Sequence, residues 1–582
     1  MSKRNKQRNG KPHHQENDLS SGILRVVPLG GLGEVGKNMT FVEYETPDSL
    51  DSIIIDAGIM FPENDMLGID YIIPDFDYIM DRLDTIRGVI ITHGHEDHTG
   101  AIAHVMEHVT VPIYATPLTR GLLEVKLKRA HLLDDITLMT VQAGDTVRMG
   151  PFQVEFFHVC HSIPDAIGLG ITTPVGLIVH SGDFKFDHTP VDNWPPDFAK
   201  LAEFSGRGVL ALLADSTNAT VPGWTSSETL INGAFEQVFR NAKGRIIIAT
   251  FASLISRIQQ VANAALKHGR KMAIVGTSMI DNVKMAREMG YLHIPEAMLV
   301  DLNEAMQMRP EEVVIMSTGS QGEPAAVLGR LASGKYRQLE IQQGDTVVLS
   351  SHPIPGNEEM VHRIINRLIH RGADVIYEGI APVHVSGHAS QEELKLLINL
   401  IRPKFFVPVH GELRHLQMHG KLAVDLGIPE DNIAVVENGT ILTFTPNSMT
   451  IGERVPGGYV FVDGSGVGDV GPAVMRDRDM LGRDGFVIVS LTVDQDTHEL
   501  LESPEIISRG FVFMPEAGDL IEGAQDAITT VLSSNGANSL NDLRTRVEGT
   551  LEKYFYSETR RRPMVFGIVH EIVRQRQRQR QR

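Results

Sequence analysis

Short, β-branched apolar runs recur along the chain, each bounded by glycine, aspartate or serine. DSIIIDAG, GVIITHG, VEFFHV, GLIVHSGD, GVLALLAD, GRIIIATF, KMAIVG, EVVIMSTG, DTVVLSS, ADVIYEG and KFFVPVHG predict buried strands. Between them, the apolar positions of Ile255–His268, Met279–Met289, Glu358–His370 and Gln391–Leu400 recur at helical spacing. The alternation predicts an α/β architecture. Farther on, PGGYVFVDGSGVGDVGPAV (Pro456 to Val474) is glycine-rich and reads as a linker. After it, FVIVSLTVD, GFVFM and a helix near Asp519–Ser533 predict a small α/β unit.

Length and charge narrow this picture. The 582 residues exceed a single domain of roughly 100–200. A net charge of −19 argues against holding nucleic acid through global charge, but leaves room for a local basic channel. Residues 1–21 are polar and basic and read as disordered. The final stretch, 571–582, ends in a repeated Arg-Gln dipeptide, suited to phosphate backbones or simply to solvation. One cysteine, Cys160, excludes an internal disulfide and fits a reducing cytoplasm. No apolar run reaches the roughly 18 residues of a membrane span, and the N-terminus lacks a secretory h-region.

The densest chemistry is THGHEDHTG at Thr92–Gly100, at the end of an apolar run. His93, His95, Asp97 and His98 are too crowded for one tetrahedral ion. Alternation would send His93 and His95 one way, and Asp97 and His98 toward a second ion. Imidazole and carboxylate suit zinc, with manganese as competitor. Two such ions can clamp a phosphoryl group and activate water. Further ligands follow other apolar runs: His161, Asp183 and His410. Asp56 could brace a motif histidine through its second ring nitrogen. Glu96 reads as solvated, Cys160 as a small core residue, and His158, His180 and His188 as packed or surface histidines.

These motifs resemble the metallo-β-lactamase superfamily. DSTN at Asp215–Asn218, HVSGH at His384–His388 and PVHGE at Pro408–Glu412 resemble its β-CASP nuclease branch. PLGGLGEVGKN (Pro28–Asn38), FPENDMLGIDYIIPD (Phe61–Asp75), STGSQGEP (Ser317–Pro324), SSHPIPGN (Ser350–Asn357), SRGFV (Ser508–Val512) and RRPM (Arg561–Met564) are similar to the bacterial ribonuclease J pattern. The resemblance implies a metallo-β-lactamase αββα sandwich, with an inserted α/β β-CASP domain and a small α/β C-terminal domain. The expected boundaries are 22–225 and 386–450 for the sandwich and 226–385 for the insert. A linker at 451–480 and a C-terminal domain at 481–570 would follow.

By the same resemblance, His93, His95 and His161 would hold one divalent ion. Asp97, His98 and His410 would hold another, with Asp183 between them. The implied reaction is hydrolysis of RNA phosphodiesters to a 5′-phosphate and a 3′-hydroxyl. His388 is the expected general acid, oriented by Asp215. His384 would contact substrate phosphate, and Asp97 would also help manage the nucleophile's proton. Ser317, Ser320, Ser386 and Gly387 would form a pocket for a 5′-monophosphate, favouring 5′-to-3′ exonucleolysis beside internal cleavage. Arg257 reads as an exposed helical arginine. Expected partners are RNA, a homodimer or homotetramer, and an RNA-degradation assembly or the ribosome, with no membrane. Two other readings compete. A small-ester metallohydrolase is disfavoured by the long insert, and a largely non-catalytic partner subunit by the filled ligand positions.

Overall fold

The structure is a computed structural model that describes residues 22–63, 65–354, 356–534 and 539–572. Both basic tails lie outside these residues, apart from positions 571 and 572. The chain divides into two compact units. The first runs to Phe61 and over Tyr71–Val460; the second takes Pro62–Asp70 and the chain from Phe461.

Two sheets form the heart of the first unit. One has eight strands, in the order Met449–Arg454, Thr440–Phe444, Ile23–Gly30, Met39–Glu45, Leu50–Ile55, Ile86–Ile90, Ile113–Ala115 and Leu138–Thr140. The other has six, in the order Phe405–Val409, Val209–Asp215, Leu177–His180, Ile167–Thr172, Phe152–His158 and Thr146–Met149. Alternate residues of both, among them Val26, Val42 and Ile53 from one and Phe156, Leu169 and Val407 from the other, share one buried core. The opposite faces are buried too. Phe41, Ile54 and Val89 pack with Ile102 and Leu123 of flanking helices. Phe157, Val179 and Phe406 pack with Leu201, Leu397 and Leu422. Four layers, αββα, result.

A third sheet is wholly parallel, in the order Lys271–Ile274, Val313–Ser317, Ile246–Ala249, Thr346–Leu349 and Asp374–Ile376. Helices cover both of its faces, so its strands are continuous apolar runs. The sheet enters the chain between Val209–Asp215 and Phe405–Val409. Those two strands are parallel neighbours, with Asp215 opposite Val409. The insertion thus leaves the ends of adjacent strands side by side, and it brings His410 beside Asp215 despite their separation in sequence.

The second unit packs Val487, Val489 and Leu491 of strand Phe486–Asp494 on Leu543, Val547 and Phe555 of helix Leu540–Thr559. Two sequence expectations change here. The stretch 451–480 is not a bare linker: Met449–Arg454 extends the eight-stranded sheet, Val462 pairs with Val467 in a hairpin, and Pro472–Asp484 is helical. Its glycines turn and pair the chain. Also, Phe486–Asp494 lies between Glu505–Arg509 and Met564–Ile572, and GFVFM is not a strand; Phe511 of the latter packs into the core. Among the described residues no helix is long and apolar enough to cross a membrane.

Candidate metal centre and substrate cleft

The Thr92–Gly100 motif leaves strand Ile86–Ile90 as a loop and becomes helical at Glu96–Thr99. This change of backbone, rather than strand alternation, divides the ligands. His93 and His95 sit on the loop, Asp97 and His98 on the helical turn. Gly58 lets the chain run against that turn, since a Cβ there would lie 1.6 Å from the Asp97 carbonyl oxygen.

The seven side chains singled out as ligands fall into two adjoining groups, His93, His95 and His161, and Asp97, His98, Asp183 and His410. In the first, His95 Nδ1 lies 3.1 Å from His93 Nε2 and 3.2 Å from His161 Nε2. The outward nitrogens have other partners. His93 Nδ1 meets Thr92 Oγ1 at 3.1 Å, and His161 Nδ1 donates to the Gly387 carbonyl at 2.8 Å. Burial, reinforced by neighbouring imidazoles, holds His93 and His161 well below the ordinary histidine value and takes His95 to about 4. With their Nδ1 atoms turned outward, His93 and His161 both aim Nε2 at His95 Nδ1. One proton on that nitrogen can serve only one of them, whereas a cation serves all three rings.

The second group is rich in carboxylates. Asp183 Oδ2 lies 3.1 Å from His98 Nε2, and 3.7 and 3.8 Å from His93 and His161 Nε2, so it faces both groups. Its Oδ1 accepts from His410 Nδ1 at 2.8 Å. His410 Nε2 is buried, has no hydrogen-bond partner and lies 3.5 Å from Asp97 Oδ2. Burial opposes charge on His98 and His410, yet Asp183 and its neighbouring carboxylates raise both above the ordinary value. The place demands positive charge. Neutral imidazoles on one side, excess carboxylate on the other and an orphaned His410 nitrogen fit divalent metal.

The supports are built in. Asp56 accepts from Thr92 N at 2.8 Å, Thr92 Oγ1 at 2.9 Å and His98 Nδ1 at 2.7 Å, fixing that ring as expected. Asp56 (φ 61°) and His410 (φ 52°) both occupy the left-handed region, at a cost on the order of 1–3 kcal/mol each. Asn38 donates to the Asp97 carbonyl at 3.1 Å, a support that no local sequence signal pointed to.

Asp215 and His388 lie beside the cluster. Asp215 Oδ2 meets His388 Nδ1 at 2.8 Å, while Oδ1 accepts from the Thr217 amide at 2.9 Å and its hydroxyl at 2.7 Å. Burial works against charge on His388, but Asp215, with help from Asp183, lifts it to about 9. Asn218 and Thr225 donate to the His388 carbonyl at 3.0 and 2.7 Å. Gly387 presses on His161, where a Cβ would come within 2.6 Å of the ring.

A cavity of about 760 Å³ opens over these groups. His95, Asp97, His161, Asp183, Ser386, Gly387, His388 and His384 line it. The Nδ1 of His384 is buried without a partner, and burial, then Arg257, holds this ring well below the ordinary value.

Ser317 and Ser320 do not line the cavity. Both are buried at the end of the parallel sheet, Ser317 Oγ with no partner. Their loop acts through Gln321, whose side chain donates to the His352 carbonyl at 2.8 Å and accepts from Ile354 N at 2.7 Å. His352 and Ile354 then face the cavity. Arg257 is not exposed: at 1% exposure it is the largest fully buried side chain. It donates to Glu228 Oε2 at 3.0 Å, Gln260 Oε1 at 3.0 Å, the Val383 carbonyl at 2.9 Å and Ser350 Oγ. It thereby ties helix Ile255–Lys267 to the residue before His384. A hint lay in the helix, because 257 stands four residues before Val261 on the apolar stripe. The remaining candidates stay out of the cluster. Glu96 pairs with Lys126, His158 stacks on Trp194 at 3.9 Å, His180 accepts from Gly182 N, and His188 is exposed. Cys160 is buried and its Sγ lies against the Trp194 carbonyl.

The αββα fold and its cation-demanding centre define a β-lactamase-superfamily metallohydrolase. Family models agree along the chain: the β-lactamase superfamily domain matches residues 53–199 and the Zn-dependent metallo-hydrolase RNA specificity domain 372–435. The ribonuclease J β-CASP domain matches 243–368 and the ribonuclease J C-terminal domain 473–572. Ribonuclease J 1 of Streptococcus pyogenes is 43% identical over 555 residues, covering 95% of this chain and 98% of that protein. Ribonuclease J2 of Bacillus subtilis is 40% identical over 94% of this chain and 99% of its own. Ribonuclease J of Synechocystis is 42% identical, over 93% and 86%. A crystal structure of a protein of unknown function from Enterococcus faecalis shares the fold alone, at TM-score 0.51 and 15% identity, over 72% of this chain and all of that one. The chain belongs to the ribonuclease J family and is a metal-dependent ribonuclease of metallo-β-lactamase type.

Proposed function

We propose that the chain hydrolyses RNA phosphodiesters at two divalent ions. His93, His95 and His161 would hold one, Asp97, His98 and His410 the other, with Asp183 shared. Zinc suits this donor set, with manganese as competitor. The bound ions supply Lewis acidity and a nucleophilic water at neutral pH. The chain's own residues do the rest. Asp97 would take part in moving the nucleophile's proton. His388, kept protonated by Asp215, delivers a proton to the leaving 3′-oxygen. His384, which lines the cavity, would contact a substrate phosphate. Ser386 and Gly387, which line the cavity, would hold a 5′-monophosphate end, favouring 5′-to-3′ exonucleolysis beside internal cleavage. The reading extends to rRNA maturation and mRNA decay in the cytoplasm. It includes a homodimer or homotetramer, checked by sedimentation, and association with an RNA-degrading assembly or the ribosome.

The observation that carries it is the convergence of the three neutral imidazoles next to the His388–Asp215 pair in one cavity. Protein loaded with zinc or manganese is given RNA of one sequence carrying a 5′-monophosphate or a 5′-triphosphate. Faster decay of the monophosphate form is expected. No cleavage of either overturns the reading, and equal rates remove its end-sensing part.

A further inference from the structure

Part of the cavity's lining is apolar and open to water. Val221, Trp224, Leu230 and Ile380 line it at 44%, 50%, 50% and 62% exposure. Large apolar side chains left open to water together mark a binding surface. Trp224 is the only aromatic ring among these four, and its backbone is held from both sides. Gln391 N donates to the Val221 carbonyl at 3.0 Å, and Glu392 N to the Gly223 carbonyl at 3.0 Å. Thr225 N donates to the buried Glu393 carboxylate at 2.7 Å, and Thr225 Oγ1 to the His388 carbonyl at 2.7 Å. The segment is therefore fixed to the start of helix Gln391–Ile401 and to the loop that carries His388. A side chain on so rigid a support, with half its surface open, is set to receive a flat apolar partner.

We infer that Trp224 is a stacking platform for a nucleobase of the RNA strand whose backbone lies at the His/Asp cluster. The inference rests on the RNA-hydrolysing reading and adds a subsite to it. A strand held at its phosphates by the cluster must place its bases elsewhere in the same cavity, and the apolar wall is what the cavity offers. Stacking on an indole accepts every base, as an enzyme working along a strand requires. It also gives an acidic chain a grip on RNA that does not depend on charge. The exposed wall could instead seat a protein partner; the experiment separates the two.

Short single-stranded RNA is titrated by fluorescence anisotropy on the metal-loaded His388→Ala background, whose proposed metal ligands are intact and whose slow turnover lets the strand survive the titration. Trp224→Ala should weaken binding about 5- to 150-fold, the range for loss of one base–aromatic stack. Trp224→Phe should keep most of the affinity. A strand of the same length made of abasic nucleotides should bind both proteins equally, because no base remains to stack. Unchanged affinity in Trp224→Ala overturns the inference and leaves the wall to a protein partner. A loss as large with the abasic strand also overturns it, since the effect would then be structural. Failure of the metal-loaded His388→Ala protein itself to bind RNA overturns the function reading instead.

Discussion

The two walls of the cavity are stabilised in opposite ways. On the cluster side, polar atoms crowd together: His93 Nε2 and His161 Nε2 both press on His95 Nδ1, at 3.1 and 3.2 Å, and His410 Nε2 has no hydrogen-bond partner. On the insert side, the buried Arg257 guanidinium is met by Glu228, Gln260, Ser350 and the Val383 carbonyl. An unsatisfied buried polar group costs about 1–3 kcal/mol, so the first wall is tolerable only as a site that something else completes. The second, tied together by the Arg257 guanidinium, acts as scaffold.

The largest effect should come from Asp183, which faces both ligand groups. Asp183→Ala should abolish cleavage and lower bound metal, measured by atomic spectroscopy, while the circular dichroism spectrum stays native. Near-normal turnover would remove the two-ion assignment. His388 comes next. His388→Ala should reduce kcat about 10²- to 10⁴-fold with metal content retained. A large loss of metal would move the residue into the ligand set. The pH profile sharpens this. A general acid works while protonated, so kcat should fall as pH rises through the His388 value, which lies at about 9. Asp215→Asn removes the main group raising that value, and the alkaline fall should then begin at lower pH. An unmoved limb would break the pairing.

The insert wall should respond in stability before it responds in chemistry. Arg257→Met leaves Glu228 buried and uncompensated, which costs about 3–5 kcal/mol. Urea unfolding reads this directly. Arg257→Lys should not restore the loss, because an ammonium cannot reach four partners as a planar guanidinium does. Wild-type stability in either variant would contradict the scaffold role.

How legible this was in the sequence follows from the same contrast. The cluster announced itself because its ligands stand at the ends of apolar runs, and strand ends in one sheet meet at one edge. His410 was found that way, although the insertion places it far along the chain. The five parallel-sheet strands and the most apolar sandwich strands, such as Leu50–Ile55 and Val209–Asp215, were legible for the same reason: burial on both faces leaves continuous apolar runs, whereas Ile23–Gly30 and Met39–Glu45 were not singled out. The insert wall was misread where the signal needed a tertiary partner. Arg257 looks like any surface arginine until Glu228 is brought to it. Gln321 was not singled out at all, because its role lies in contacts to His352 and Ile354 in the next strand's loop. Trp224, next to a proline–glycine turn, gave no periodic signal at all. The glycine-rich 451–480 stretch misled because glycine marks a tight turn as readily as a flexible join.

The smallest expected effect tests the boundary between the walls. Ser317 was a candidate for the 5′-phosphate pocket, yet it is fully buried in its strand and its hydroxyl has no partner. Removing a buried hydroxyl that bonds to nothing relieves a desolvation cost rather than breaking a contact. Ser317→Ala should leave the KM for 5′-monophosphorylated RNA unchanged and alter stability by no more than about 1 kcal/mol, in the stabilising direction. Ser386→Ala is the counterpart on the cavity side. Its hydroxyl accepts from Asn218 Nδ2 at 2.8 Å and from the His388 amide at 3.1 Å. Losing it should loosen the loop, raising KM and reducing the preference for the monophosphate end. If Ser317→Ala raised KM as much as Ser386→Ala, the parallel sheet's edge would have to open toward the substrate, and the division between a chemical wall and a scaffold wall would fail.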